Sequence, residues 1–89
     1  MADPVLIPVV KGSWVPVATN VTTGQLWRII KTASYLMTYR MAGNPVPTLE
    51  TEGVPIFVNG EISAPISAVA AIDVYLWARG VDGKIRADL

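Results

Sequence analysis

Few side chains in this 89-residue sequence are suited to acid–base or metal chemistry. It has no histidine and no cysteine, so the commonest general base, the commonest metal ligand and all thiolates are missing. Glu50 and Glu52 stand two residues apart, and paired carboxylates can act as acid and base or hold a cation. Carboxylates in a proline-rich loop are far more often simply solvated. We therefore predict no catalytic residue, no metal site, no cofactor and no enzymatic activity.

Two short motifs resemble functional signatures without completing them. Asp82-Gly83 resembles part of a calcium loop, but the alternating Asp/Asn oxygens and the closing Glu are absent, so we interpret it as a turn. Asn20-Val21-Thr22 matches the N-glycosylation pattern, a three-residue match that often occurs by chance. Glycine-rich phosphate loops, the nucleophile elbow and the dinucleotide fingerprint are all missing from the sequence.

The aromatic side chains are the remaining candidates for a binding surface. Such rings stack on sugars or bases, fill protein interfaces or pack in a core, and the sequence leaves these three roles open. We select them as candidate interface residues, together with two prolines of a proline-rich loop. The set is Trp14, Trp27, Tyr35, Tyr39, Pro45, Pro47, Tyr75 and Trp77.

The composition predicts an apolar surface that needs a partner. Ala, Val, Ile, Leu, Met, Phe, Trp and Gly make up about 56% of the chain, where about 45–50% is usual. Charged residues are only 16%, and seven basic residues balance seven acidic ones. Such a surface is poorly protected against association, so we expect copies of the chain or another protein to cover part of it. The lack of a Lys/Arg cluster argues against nucleic acid as a partner.

The N-terminus and the most apolar stretch indicate neither export nor membrane insertion. The N-terminus has no positively charged region and is interrupted by Pro4 and Pro8, unlike a signal peptide. Glu61 and Asp73 divide the most apolar stretch, so no run reaches the ~18 residues that a membrane span needs. We expect a soluble chain with no membrane partner.

Proline and glycine positions predict the domain layout. Residues 1–12 form an extended arm or edge strand, because their two prolines cannot donate to a sheet. Residues 13–89 form a single β domain with a proline-rich loop at 43–55. Within this domain Pro16 predicts another edge strand, and Thr22-Thr23-Gly24 predicts a break in the chain.

Two stretches are compatible with helix or strand. Residues 25–42 carry a helical stripe of apolar residues, but they are dense in Ile, Thr, Tyr and Trp and divide at Thr32-Ala33-Ser34 into two alternating halves. We predict two strands there. Residues 63–79 can start a helix at Pro65, yet residues 72–79 are rich in strand formers, so we reject a helix over the whole stretch.

Two dipeptides predict tight turns, and together the elements predict the fold. Asn59-Gly60 ends a short strand at 56–58. Asp82-Gly83 predicts a two-residue type I′ hairpin that sets Ala78 opposite Ala87. We therefore predict an all-β fold: a small single-domain antiparallel β-sandwich or barrel of about six to eight short strands, with an extended N-terminal arm.

Several segments resemble small accessory structural proteins of tailed-phage virions and prophages, in which a short β-barrel or sandwich has a similar strand order and turn placement. These segments are "SWVPVATNVTTGQLW", "YLMTYRMAGNPVP", "EGVPIFV" and the C-terminal "AIDVYLWARGVDGKIRADL". The resemblance covers roughly residues 13–89. It concerns the order of strands and turns, and it transfers no functional residue.

The resemblance implies a non-enzymatic virion component held in many copies, as a capsid decoration (cement) protein or a small subunit of the tail, neck or fibre. Its partners would be copies of itself in a homo-oligomer and other virion proteins such as the capsid protein. It would reside in the virion, assembled in the host cytoplasm, with the arm from Ala2 to Val10 bridging to an adjacent subunit. The alternatives are a carbohydrate- or receptor-binding module on a phage fibre and, with least support, a small enzyme or regulator.

Overall fold

Two long strands at the centre of one sheet determine the architecture. The computed structural model describes residues 5–41, 43–58 and 60–88. In these ranges the sheet has the order β1-β6-β2-β5-β3-β4, all neighbours are antiparallel, and the sheet curls into a half-barrel. This confirms the predicted all-β fold. The strands are β1 (Val5–Val9), β2 (Trp14–Arg28), β3 (Ser34–Met41), β4 (Val54–Ile56), β5 (Ser63–Arg79) and β6 (Gly83–Asp88).

The strands β2 and β5 are long because the chain bends within them without leaving the sheet. They have 15 and 17 residues, against the usual ~5–6. Their pairing shifts register at three places between Pro16 and Thr23, and β-bulges of this kind bend a strand and increase its twist. Asn20 lies among these bulges with a positive φ of 53°. The predicted break at Thr22-Thr23-Gly24 is therefore wrong.

The hydrophobic core lies on the concave face of the half-barrel. Along β5, every second residue from Ile72 to Ala78 is buried, as a period of two predicts. The convex face is also covered in part, because Leu36 of β3 is buried beneath the loop that follows this strand. The largest fully buried side chains are Tyr35, Leu26, Leu76, Ile85, Val9 and Val74.

The predicted hairpin at Asp82-Gly83 is wrong, because β2 lies between β5 and β6 in the sheet. Ala78 lies opposite Tyr35, whereas Ala87 lies opposite Leu26. The connection starts at Gly80, which has a φ of +86°. The Asp82 carboxylate then accepts a 3.0 Å hydrogen bond from the backbone N–H of Lys11. This hydrogen bond holds the connection against the turn that follows β1. The chain then continues as β6 beside β1 and β2, and it does not return alongside β5.

Gly83 is required by packing inside the half-barrel and does not form a turn. It is the first residue of β6, and a Cβ atom there would lie 2.5 Å from the Tyr35 hydroxyl oxygen and 2.7 Å from its Cζ. Both distances are too short for nonbonded heavy atoms. A glycine inside a strand often marks such a close approach.

Residues 25–42 form strands and no helix where the structure describes them, as predicted. The end of β2 and the whole of β3 are separated by a turn at 29–33, so the predicted division at Thr32-Ala33-Ser34 coincides with the end of this turn and the first residue of β3. Residues 63–79 are likewise all strand. Within the described ranges, no helix is long and apolar enough to cross a membrane.

Pro16 lies in a strand that is central in the sheet, although the prediction placed it at an edge. β6 pairs only with Gln25 to Arg28 of β2, so at Pro16 the strand pairs with β5 on one side and has no described strand on the other. The missing backbone N–H of proline is tolerated at such a position. β4 ends at Ile56, since Phe57 has a φ of 60°. The predicted Asn59-Gly60 turn includes Asn59, which lies outside the described residues.

Candidate functional site

One end of the concave face is left open as an apolar groove. Met37, Tyr39 and Met41 of β3 share a face with core residues of β5, because each is directly opposite one of them in the antiparallel pair. Tyr39 and Met41 nevertheless remain 63% and 49% exposed. The groove that they line has a volume of about 500 Å³. It is an uncovered continuation of the hydrophobic core.

The other wall of the groove is the first half of β5. β3 ends at Met41, opposite Ile72. Among the described strands, residues 63–67 pair only with β2, and residues 68–71 lie at a register shift between the pairs Thr23–Ser67 and Val21–Ile72. We call this segment, Ser63 to Ala71, the open edge. It contains no charged residue, and Val69 is fully exposed, with a relative exposure of 108%.

A polar network on the convex side fixes the strands that form the groove. The Arg40 guanidinium contacts the Asp73 carboxylate at 3.2 Å and donates hydrogen bonds to the Tyr75 hydroxyl at 2.8 Å and to the Asn44 carbonyl at 2.6 Å. Asp73 also accepts the backbone N–H of Asn20 at 2.9 Å. One carboxylate thus links β3 and β5 to the bulged part of β2.

The proline-rich loop is fastened to the convex face by a tryptophan pair and an ion pair. The Trp14 indole N–H donates to the Leu49 carbonyl at 3.0 Å, and its ring meets Trp77 edge to face at 5.4 Å between centroids. Arg79 Nε lies 2.8 Å from a Glu50 carboxylate oxygen. This loop therefore packs on its own sheet.

The two acidic residues singled out in the sequence have partners within the chain. Glu50 pairs with Arg79, as above, while the Glu52 carboxylate accepts the backbone N–H groups of Thr48 and Leu49 at 2.8 and 3.2 Å. Both acids thereby shape the loop. Across the described residues, no three acidic side chains come together in a group that would hold a metal ion.

Tyr35 of β3 links the turn after β2 to β6 through its hydroxyl group. The hydroxyl donates to the Ile30 carbonyl at 3.0 Å and accepts the backbone N–H of Lys84 at 3.2 Å. Burial raises the pKa of the Tyr35 hydroxyl, and the Lys84 hydrogen bond and the Arg28 charge oppose this effect only in part. The arrangement holds a neutral phenol in the core and provides no nucleophile.

Five of the predicted interface residues lie in or against the chain's own structure. Tyr35 and Tyr75 are buried, with 2% and 6% of their surface exposed. Trp14 and Trp77 are half-buried and contact each other beneath the loop. Trp27, near the other end of β2, donates to the Asp88 carboxylate at 2.8 Å and stacks with the Arg86 guanidinium at 5.0 Å.

The three other predicted interface residues line a shallow hollow beside the groove. Tyr39, Pro45 and Pro47 meet there, and Tyr39 also belongs to the groove wall. Sequence reasoning did not select Val69 or the rest of the open edge. The uncharged run from Ile62 to Ile72 was the available signal, because most strand segments at an exposed edge carry a charge.

No family model, no curated protein and no solved structure matches this chain. The groove and the open edge are therefore the features from which a function is inferred.

Proposed function

We propose that this chain is a non-enzymatic structural subunit that acts by assembling in many copies, as a component of a phage virion. The observation that carries the proposal is the apolar groove, an uncovered extension of the core that borders the uncharged open edge, beyond the last described pair between β3 and β5. Soluble proteins that expose such surfaces usually cover them with a partner. Its action is mechanical, since burial of strand edges and apolar faces holds neighbouring copies together.

Apolar side chains on other parts of the surface support the same proposal. The chain has zero net charge, so its copies do not repel one another strongly. Large apolar side chains are exposed on β1, on β4 and in the proline-rich loop as well as beside the groove. They include Leu6, Val10, Val46, Leu49 and Val54, each more than half exposed.

The N-terminal segment enters this proposal as a second contact element. Val5–Val9 pair with β6 of the same chain as the outermost strand of the sheet, so the other edge of β1 faces away from the sheet. The predicted bridging arm begins at Ala2, and residues 1–4 lie outside the described ranges. Contact between this arm and a neighbouring subunit stays a prediction.

The place in the virion follows from the resemblance of residues 13–89 to phage accessory proteins. We propose a capsid decoration protein or a small subunit of the tail, neck or fibre, with the capsid protein among its partners. The alternative is a carbohydrate- or receptor-binding module, which predicts exposed aromatic rings beside acidic or amide groups. Trp14 and Trp27 instead use their indole N–H groups within the chain, so neither indole N–H is available to a ligand.

Light scattering across a dilution series tests the proposal. We expect a mass of at least a dimer, where a monomer has 9.6 kDa. The double substitution Tyr39→Ser/Met41→Ser removes the exposed apolar wall of the groove and is expected to lower the mass. Val81→Ser is the matched control, because Val81 is 46% exposed in the connection between β5 and β6, outside the groove, and its loss should leave the mass unchanged.

Two results would contradict the proposal. A mass of one chain at every concentration would show that the exposed apolar surface does not bind copies of this chain, and the binding-module alternative would then be preferred. Equal effects of the groove substitution and of Val81→Ser would show that association is nonspecific.

A further inference from the structure

A second hollow lies at the end of β3 that is opposite to the groove, and it gathers basic side chains from three separate segments. Arg28 is the last residue of β2, Lys31 lies in the turn that follows, and Arg79 is the last residue of β5. We call the space that they line the cationic hollow. We infer that it binds the phosphate group of a small phosphate monoester. The inference goes beyond the proposed function, because the cationic hollow shares no residue with the groove.

Arg28 is the anchor of this site, because its guanidinium group lacks strong partners within the described part of the chain. The residue is only partly exposed, and its Nε atom is buried without a hydrogen bond. One Nη atom donates to the Phe57 carbonyl at 3.5 Å, which is long for a hydrogen bond. Among the described residues, Arg28 forms no ion pair. A guanidinium group with donors to spare is well suited to a phosphate, which it can bind through two parallel hydrogen bonds.

The charge of the cationic hollow matches a phosphate monoester better than a carboxylate. Arg79 is neutralised by Glu50, whose carboxylate lies 2.8 Å from Arg79 Nε. Lys31 is exposed and, like Arg28, has no ion pair among the described residues. No described acidic residue lines the hollow, so about two positive charges remain uncompensated. A phosphate monoester carries close to two negative charges at pH 7, whereas a carboxylate carries one.

Hydroxyl groups and an apolar wall complete the lining of the cationic hollow. Thr32 and Ser34 line it beside the basic side chains, and each has a hydroxyl group that can donate to a phosphate oxygen. Pro55, Ile56 and Val58 form the wall supplied by β4 and the residues after it. The volume is about 290 Å³, which corresponds to about ten water molecules. A phosphate that carries a small ring has about as many non-hydrogen atoms, so its ring can cover the apolar wall.

The backbone of Phe57 provides a second and independent observation at the same place. Phe57 has a φ of 60°, a left-handed conformation that is strained for a bulky side chain. Its ring packs against Tyr35, and its carbonyl group is the one that accepts the hydrogen bond from Arg28. Strained backbone of this kind is concentrated at ligand sites and active sites. Here it holds the carbonyl that positions Arg28.

Isothermal titration calorimetry with phenyl phosphate and with inorganic phosphate tests the inference. The ionic strength is held constant with sodium chloride, because salt screens exposed charges. We expect saturable binding of one phenyl phosphate per chain. We also expect inorganic phosphate to bind about fivefold or more weakly, because it leaves the apolar wall uncovered.

Substitutions of the basic residues locate the binding site. Lys31→Gln removes one charge at an exposed position and should weaken phenyl phosphate binding about fivefold. Arg28→Lys keeps the charge but loses the planar pair of donors, and it should weaken binding about tenfold or more. Lys11→Gln is the matched control, because it makes the same change of net charge at an exposed residue outside the cationic hollow. Thermal melting without ligand checks that each variant is folded, and Lys31→Gln keeps the test valid if Arg28→Lys is not.

Three results would overturn the inference. Absence of saturable binding would do so and would leave assembly in place, since light scattering tests assembly separately. Equal weakening by Lys31→Gln and Lys11→Gln would show that only the overall charge attracts the anion. Tighter binding of a single-stranded oligonucleotide than of phenyl phosphate, at equal phosphate concentration, would assign the surface to nucleic acid and not to a small ligand.

Discussion

At the scale of single residues, Tyr35 connects segments that are far apart in the sequence. Its ring packs edge to face on Phe57 at 5.4 Å between centroids, and its hydroxyl joins Ile30 to Lys84. The space for this ring exists because residue 83 is glycine. Tyr35 was selected in the sequence as an interface residue, and the structure places it in the core.

We predict that Tyr35 makes stability depend on pH in the alkaline range. Its raised pKa means that the folded state keeps the phenol proton at a pH where the unfolded chain has begun to lose it. This contribution is complete below pH ~10 and is lost as the pH rises through the folded pKa. The free energy of unfolding, measured in urea from pH 8 to 11, should therefore fall more steeply for the wild type than for Tyr35→Phe.

Tyr39→Phe is the matched control, because Tyr39 is 63% exposed. This variant should keep the steep wild-type slope. Tyr35→Phe should also be less stable at pH 8, by about 1–3 kcal/mol, because the Lys84 N–H loses its acceptor. Parallel slopes for all three proteins would show that the Tyr35 phenol does not contribute to the pH dependence.

At the scale of the elements, the bulged part of β2 determines how the sheet curls. Three register shifts against β5 lie between Pro16 and Thr23, and the Asp73 carboxylate accepts the N–H of Asn20 in this part. Because Asp73 also contacts Arg40, the bulge is tied to β3 on the far side of β5. The open edge begins beyond Ile72, where the pairing of β3 with β5 ends.

We predict that the positive φ of Asn20 matters for stability. Alanine in this left-handed conformation costs about 1–2 kcal/mol, whereas glycine and asparagine adopt it readily. Asn20→Ala should lower the free energy of unfolding in urea by about 1 kcal/mol, and Asn20→Gly should change it by only a few tenths. Thr19→Ala, at the exposed neighbouring position, should stay within ~0.5 kcal/mol of the wild type. Equal losses for Asn20→Ala and Asn20→Gly would argue against this conformation.

At the scale of the whole molecule, the chain leaves apolar surface exposed on a small body. The Cα radius of gyration is 12.0 Å, and a domain of this size hides only about 60–65% of the surface that its unfolded chain exposes. The groove adds an opening into the core. Association is therefore expected to contribute to stability as well as to assembly.

We predict that the melting temperature rises with protein concentration. Binding of a folded copy stabilises the folded state by mass action, so Tm depends on concentration when copies associate. Calorimetry of the wild type over a hundredfold range should show this rise. Tyr39→Ser/Met41→Ser should give a flatter dependence, and Val81→Ser should behave like the wild type. A constant Tm for the wild type would mean that association contributes nothing to its stability.

Much of the local structure followed from the sequence. The β-branched and aromatic residues of 34–41 and 72–79 predicted strands, and the alternation in β5 predicted the buried face from Ile72 to Ala78. The division of 25–42 at Thr32-Ala33-Ser34 was also predictable. These features depend on neighbours within a few residues, because side-chain period and turn propensity are local properties.

The choice of strand partners was decided only by the tertiary structure. Asp82-Gly83 has the composition of a hairpin turn, yet β2 separates β5 from β6, and Gly83 is needed beneath Tyr35, 48 positions earlier in the chain. The open edge likewise exists because β3 ends opposite Ile72. Local sequence determines which face of a strand is apolar, whereas its neighbour in the sheet depends on the summed contacts of distant segments, which no local pattern records.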